Sequence, residues 1–372
     1  MYAASKAKLT SRSPVVCAFF LAAALASAQN TITWTTNPVV LEDGVSSWTT
    51  LLKLSDGSWL AAYTVFPSPS FIRVKRSFDS MRTWQWVSEI HEDGRDLDNS
   101  RLYMRPDGVP LIAFRSIIAG QSYRIEVFQT LDNGNSFQFL SQVDWDEHLG
   151  GLYEPALATL LDGSIAAFYT NEKHQHEHPS YSQIISERIS RDNGLTWGPE
   201  IFVIAQPGFA RPGEPNLVAL RDCPLLALFY EMCATENCQG HISYSVDGQN
   251  WSPIGPPLPA MFQDIQALSA SSGLIFATSN SYDVIVSSDD TGTWVDTASH
   301  PFTHGLWPAI AQTGENEIAV ALGSAGSPGQ SGQYIQFGDI SKLGLQHSTT
   351  SRACGGTRPD PKPCRPGAPC LQ

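Results

Sequence analysis

Apolar runs joined by a short polar turn recur six times along the chain: LLKLSDGSWLAAY, RLYMRPDGVPLIAF, ALATLLDGSIAAFY, NLVALRDCPLLALFY, ALSASSGLIFAT and AIAQTGENEIAVAL. Each predicts a two-stranded hairpin, because Asp-Gly and its relatives supply the φ > 0 positions that a tight turn between strands needs. A longer connection and a third strand such as FIRVKRSF or YRIEVFQT follow, then a fourth such as WQWVSEI. No helical periodicity competes beyond the first thirty residues.

A second series keeps step with the first. SFDSMRTW, TLDNGNSF, SRDNGLTW, SVDGQNW and SSDDTGTW, five copies in all, each place an Asp near a Gly, Asn or Ser and end on a Trp or Phe. The Asp accepts bonds from turn amides and the aromatic ring fills the gap between neighbouring strands. Repeats at this spacing predict an all-β, six-bladed β-propeller. TITWTTNPVV at the start has no blade of its own, and its simplest use is as the outer strand of blade six, closing the ring after YIQFGDI.

The ends of the chain read differently. Residues 1–28 carry a basic start (Lys6, Lys8, Arg12), the apolar run VVCAFFLAAALA and the small-residue site Ala26-Ser27-Ala28, a signal-peptide pattern that predicts a secreted, extracellular protein. Residues 29–345 form the expected propeller, and 346–372 a Pro-, Gly- and Cys-rich tail. Removing the signal takes away three basic and no acidic side chains, so the formal charge falls from −13 to −16. Such a surface disfavours nucleic acid and anionic membranes and suits a neutral polysaccharide or oligosaccharide. The chain is expected to act as a monomer, with no cofactor and no metal. Six cysteines remain after cleavage, an even number compatible with complete pairing, and Cys233 with Cys238 is the expected staple after the second strand of blade four. Asn250-Trp251-Ser252 is a glycosylation sequon inside an Asp turn.

Topology restricts where chemistry can be. The hairpins and the Asp turns share one face of the disc, so the Asp residues of those turns are structural. The starts of the first strands and the ends of the second strands converge on the opposite rim of the central channel. There blade three offers Tyr153-Glu154-Pro155 and Phe168-Tyr169-Thr170-Asn171-Glu172, and blade four offers Arg211-Pro212-Gly213-Glu214 and Phe229-Tyr230-Glu231. Carboxylates on apolar strand ends are desolvated, which suits one to protonate a leaving group while another stays ionised. A carboxyl pair across one channel is what glycoside hydrolysis needs; salt bridges to Arg101, Arg115 or Arg211 are the structural alternative. The run Lys173 to Pro179 reads as a solvated loop, from which His174 has the reach to meet a substrate.

The stretch from about residue 95 to 255 resembles glycoside hydrolase family 93, the fungal exo-α-1,5-L-arabinanases, within the sialidase superfamily. GGLYEPALATLLDGSIAAFYTNEKHQ, SRDNGLTWGPEIFVIA and RPGEPNLVALRDCPLLALFYEMCATENC carry the likeness, and WTTLLKLSDGSWLAAYT extends it more loosely. The resemblance implies Glu154 as general acid/base and Glu231 as nucleophile of a retaining glycosidase that attacks arabinan from the chain end. Tyr153, Arg101, Arg115, Tyr169, Glu172, Arg211, Tyr230 and Trp307 are then the expected substrate-binding side chains. Three features depart from the family pattern: blade one opens with SSWTTL in place of an aromatic-Pro-Arg sequence, RPG continues with Glu214-Pro215 in place of an apolar pair, and blades five and six match poorly. The alternatives are a lectin-like propeller that binds sugar without cutting it, and a sialidase. The latter resembles a three-arginine clamp with a Tyr nucleophile, for which the blade-one position supplies no Arg.

Overall fold

The computed structural model describes residues 31–344 apart from 148–149, 221–223, 282, 289–292, 298, 304 and 328–329. The expected signal peptide and tail, with Cys223, Cys354, Cys364 and Cys370, lie outside the described residues. Among the described residues, no helix is long and apolar enough to cross a membrane.

Six antiparallel sheets follow one another in chain order, as the hairpin repeat predicts. The first strands of the blades are Ser46–Lys53, Asp96–Met104, Leu152–Thr159, Arg211–Ala219, Gln266–Ser269 and Leu306–Gly314. Blade six is closed from the other end of the chain: Thr33–Trp34 and Val39–Glu42 both pair with Gln330–Asp339. The start of the described chain thus supplies the outer strand of blade six and ties the two ends of the ring together.

Blade four departs from the expectation of four strands and has three. The chain that would form its outer strand is SPIGPPLPA, where four prolines remove ladder donors and exclude regular pairing.

The core is divided among the seams between blades. Each of six buried apolar clusters combines residues from two neighbours, such as Phe168 and Ile185 with Leu228 and Tyr230 across blades three and four. The Asp turns help to lock these seams. Asp192 accepts from the Thr196 N–H (2.9 Å) and hydroxyl (2.5 Å) and from Ser190 Oγ (2.8 Å), and the same bonds recur at Asp79 and Asp132. In blade four Asn250 replaces the Thr, its Nδ2 donating to Asp247 at 2.7 Å, so the sequon amide is used inside the turn. The fifth turn lies partly outside the described residues. Trp197 Nε1 then donates to Ser141 of blade two (2.9 Å), and Trp251 Nε1 to Glu187 of blade three (3.2 Å).

Candidate active site

One backbone irregularity recurs around the channel. Trp48, Asn99, Glu154, Glu214, Asp264 and Trp307 all adopt the left-handed region, with φ between 44° and 55°. In five blades the ladder register slips at this point, two residues of the first strand opposing one of the second: Trp48 and Thr49 face Tyr63, and Glu154 and Pro155 face Tyr169. A bulge of this kind re-aims a side chain out of the pleat. Here the left-handed backbone turns all six side chains toward one narrow central cavity, which they line together with Arg101 and Pro308. Holding non-glycine residues in this region costs about 1–3 kcal/mol each, a cost that persists where the surroundings over-determine the conformation.

The left-handed residues also present backbone donors. The N–H of Glu214 donates to Glu154 Oε2 (2.8 Å), and the N–H of Asp264 to Glu231 Oε2 (3.0 Å). Thr170 Oγ1 adds a second bond to Glu154 Oε2 at 2.7 Å. Glu231 comes from the second strand of blade four, in register with Gly213. Because residue 213 is glycine, the two carboxyls share the space beside it: a Cβ there would lie 3.1 Å from Glu154 Oε2 and 3.4 Å from Glu231 Oε1. Those two oxygens are therefore no more than about 7 Å apart, within the range of glycosidase carboxyl pairs.

Their environments differ. Burial, reinforced by the charge of Glu154, pushes the Glu231 carboxyl up to about 8. Burial and the neighbouring Asp264 hold Glu214 well above the usual carboxylate range, while Asp264, buried but paired with Arg101, rises to about 6. Arg101 is the cation within this acidic group. Its Nη1 donates to Gln266 Oε1 (2.8 Å), and its Nη2 lies 3.4 Å from Asp264 and 3.7 Å from Glu214.

The sequence-predicted residues divide into three groups. Glu154, Arg101 and Trp307 line the cavity, Glu231 adjoins Glu154 beside Gly213, and Trp307 packs on Trp48 with ring centroids 4.5 Å apart. Arg115, Tyr153, Glu172 and Arg211 form a chain along the rim. Arg115 grips Asp98 through two bonds of 2.7 Å and lies over the Tyr153 ring at 4.6 Å; the Tyr153 hydroxyl donates to Glu172 at 3.3 Å, and Glu172 pairs with Arg211. Tyr169 and Tyr230 do not reach the channel. Both are fully buried in the blade seams, Tyr169 donating to Asp144 (2.8 Å) and Tyr230 bonded to Ser243 (3.3 Å). Strand alternation is the reason: a residue adjacent to Glu231 must face the other way. His174 is likewise turned into its own loop, against Glu177 and Glu200.

Sequence reasoning missed Asn99 and Asp264 as site residues, and named Glu214 and the SSWTTL segment that holds Trp48 at the channel without giving either a role. A signal existed: Trp48, Asn99, Glu154, Asp264 and Trp307 each stand nine positions before a described hairpin-turn residue, namely Gly57, Gly108, Gly163, Gly273 and Asn316. Its side chains vary in chemistry, so the period shows in spacing and not in residue type.

The expected disulfide joins Cys233 to Cys238. Both sulfurs lie with a Glu231 oxygen inside a 4.8 Å group, and their bond to each other removes the thiolates that a metal would require.

Compared by sequence, the chain matches no protein-family model and no curated protein. Its structure is similar to the Penicillium chrysogenum α-L-arabinanase solved with arabinobiose, at 20% identity and TM-score 0.71, covering 83% of this chain and 99% of that one. It is similar also to the Fusarium graminearum α-L-arabinofuranosidase solved with an iminosugar inhibitor, at 17% identity and TM-score 0.72 with the same coverage. The NanB sialidase of Streptococcus pneumoniae follows at 12% identity and TM-score 0.61, covering 84% of this chain and 70% of that one. The chain thus has a six-bladed propeller fold, the fold shared by these arabinanase, arabinofuranosidase and sialidase structures.

Proposed function

We propose that this chain is a secreted, retaining glycoside hydrolase that removes terminal arabinofuranosyl units from α-1,5-arabinan, with Glu154 and Glu231 as its catalytic pair. The observation that carries this reading is the meeting of the two carboxyls beside Gly213, where burial and the charge of Glu154 push the Glu231 carboxyl up to about 8. The structural neighbours were solved with arabinobiose and with an iminosugar, which supports a furanosyl substrate. The Trp48–Trp307 pair in the cavity wall offers an aromatic face to a sugar ring, which supports a carbohydrate substrate.

The family resemblance implies Glu154 as acid/base, whereas the electrostatics favour the opposite allocation. Glu231, protonated up to about 8, gives its proton to the departing glycosidic oxygen while a Glu154 oxygen bonds to the anomeric carbon. The two donors on Glu154 Oε2 orient the carboxylate and leave Oε1 for the attack. Water then adds to the anomeric carbon, Glu231 takes its proton, and the ester bond to Glu154 breaks, returning the enzyme to its starting state. A sialidase reading lacks its clamp, since Arg115, Arg211 and Arg101 are each engaged by a carboxylate of the protein.

The test is to incubate the chain with linear arabinan, other plant polysaccharides and sialosides and to identify released sugars by mass. Release of arabinose by the parent, lost in Glu154→Ala and Glu231→Ala with the fold intact, is expected. Release of sialic acid, or sugar binding without release, rejects the reading.

A further inference from the structure

We propose that Glu214 is a substrate-recognition residue: its carboxyl donates a hydrogen bond to a ring hydroxyl of the sugar in the central cavity, selecting neutral, fully hydroxylated units over deoxygenated or carboxylated ones. This deepens the glycosidase reading and rests on it for the identity of the sugar.

The Glu214 side chain is 8% exposed, and what remains exposed faces the cavity that it lines. Its left-handed backbone aims it there, and its N–H is committed to Glu154. The carboxyl itself makes no hydrogen bond among the described residues; its nearest partner is Arg101 Nη2 at 3.7 Å, a guanidinium already engaged by Gln266 and Asp264. A buried polar group left unsatisfied costs about 1–3 kcal/mol, more when charged. Surrounded by Glu154, Asp264 and Glu231 with one arginine among them, Glu214 lowers that cost by keeping its proton, and burial with the Asp264 charge acts in the same direction. A protonated carboxyl has one O–H to give, and the open side is the cavity. The position is also one where the chain departs from the pattern that it otherwise resembles, with Glu214-Pro215 in place of an apolar pair. A carboxylated sugar placed here would bring a further negative charge among these acids, an arrangement that costs several kcal/mol.

The experiment uses the parent, Glu214→Leu and Glu214→Gln, with 4-nitrophenyl α-L-arabinofuranoside and its 2-, 3- and 5-deoxy analogues. Steady-state KM and kcat are read together with calorimetric binding of free L-arabinose and its deoxy forms, which needs no turnover. The parent should disfavour one deoxy analogue by about 10- to 100-fold, within what a lost buried hydrogen bond supports. Glu214→Leu should raise KM for the full substrate by a similar factor and leave that analogue unaffected, erasing the preference. Glu214→Gln, which keeps an N–H donor, should recover most of it. The proposal is overturned if Glu214→Leu weakens every analogue equally, if Glu214→Gln loses kcat as completely as loss of Glu154 does, or if no sugar binds. If the parent binds with a Glu214-dependent hydroxyl preference but hydrolyses nothing, the glycosidase reading fails and this one stands.

Discussion

Gly213→Ala tests the site without removing any of its functional groups. Gly213 lies outside the left-handed region, so alanine meets no backbone penalty and the whole effect comes from contact. The new methyl would lie 3.1 Å from Glu154 Oε2, 3.2 Å from Gln183 Nε2 and 3.4 Å from Glu231 Oε1. The first two are tighter than ordinary contact, so the Glu154 carboxyl must give by a few tenths of an ångström against the Thr170 and Glu214 donors that hold it. Overpacking of this size costs about 1–3 kcal/mol, which lowers Tm by a few degrees in a domain of this length. Rate suffers more, because small displacements of a reacting group cost about 10²-fold, or about 2.7 kcal/mol in the barrier. The assay is kcat/KM on 4-nitrophenyl α-L-arabinofuranoside with Tm by scanning calorimetry. Gly198→Ala serves as control, since its Cβ would crowd Ile189 O at 3.2 Å far from the channel and should lower Tm without lowering kcat/KM. Activity of Gly213→Ala within threefold of the parent would refute the placement of the reacting centre between these carboxyls.

Three further outcomes follow from the electrostatics. The alkaline limb of the kcat/KM profile should fall near pH 8, where Glu231 loses the proton it must donate; a limb near pH 5 would remove Glu231 from the acid role. Glu187, bonded to Trp251 through one oxygen and unsatisfied at the other, is pushed up to about 8 by burial. Its unfolded form ionises near ~4.3, so the folded state binds the extra proton and parent stability declines as pH rises from about 4 to about 8. The Tm gain of Glu187→Gln should therefore grow through that window and be flat below it, and a pH-independent difference counts against the argument. Asp192→Ala should lower Tm by a few degrees with kcat unchanged, because its carboxylate, held down to about 2 by Thr196, serves the turn alone; a rate loss would contradict a structural role.

The scaffold was legible because its signals are local. Asp-Gly turns and the Asp of each box act within a few residues, so the closing strand and, among the described residues, the hairpins and boxes appear where the pattern places them. The missing strand of blade four was legible too, in the prolines of SPIGPPLPA, and was outweighed by the regularity of the repeat. Glu154 and Glu231 stood out through the aromatic residues around them, yet two of these misled: Tyr230, next to Glu231, and Tyr169, next to the Thr170 that holds Glu154, occupy the seams because adjacent strand residues face opposite sides. Asp264 and Glu214 owe their roles to left-handed backbone, and at Glu214 the bulge that accompanies it is fixed by cross-strand register, which no single segment encodes.

Chemical rescue tests the central claim most directly. With an aryl α-L-arabinofuranoside bearing a good leaving group, Glu154→Ala should be inert until azide is added, when the small anion fills the vacated space and yields a glycosyl azide of inverted configuration. Glu231→Ala should keep cleaving that activated substrate, fail on arabinan, and with azide give a glycosyl azide of retained configuration, because its nucleophile is intact. The reverse pattern would restore the allocation that the family resemblance implies. Cleavage of arabinan by both variants at the parent rate would show that the carboxyl pair beside Gly213 is not the catalytic centre.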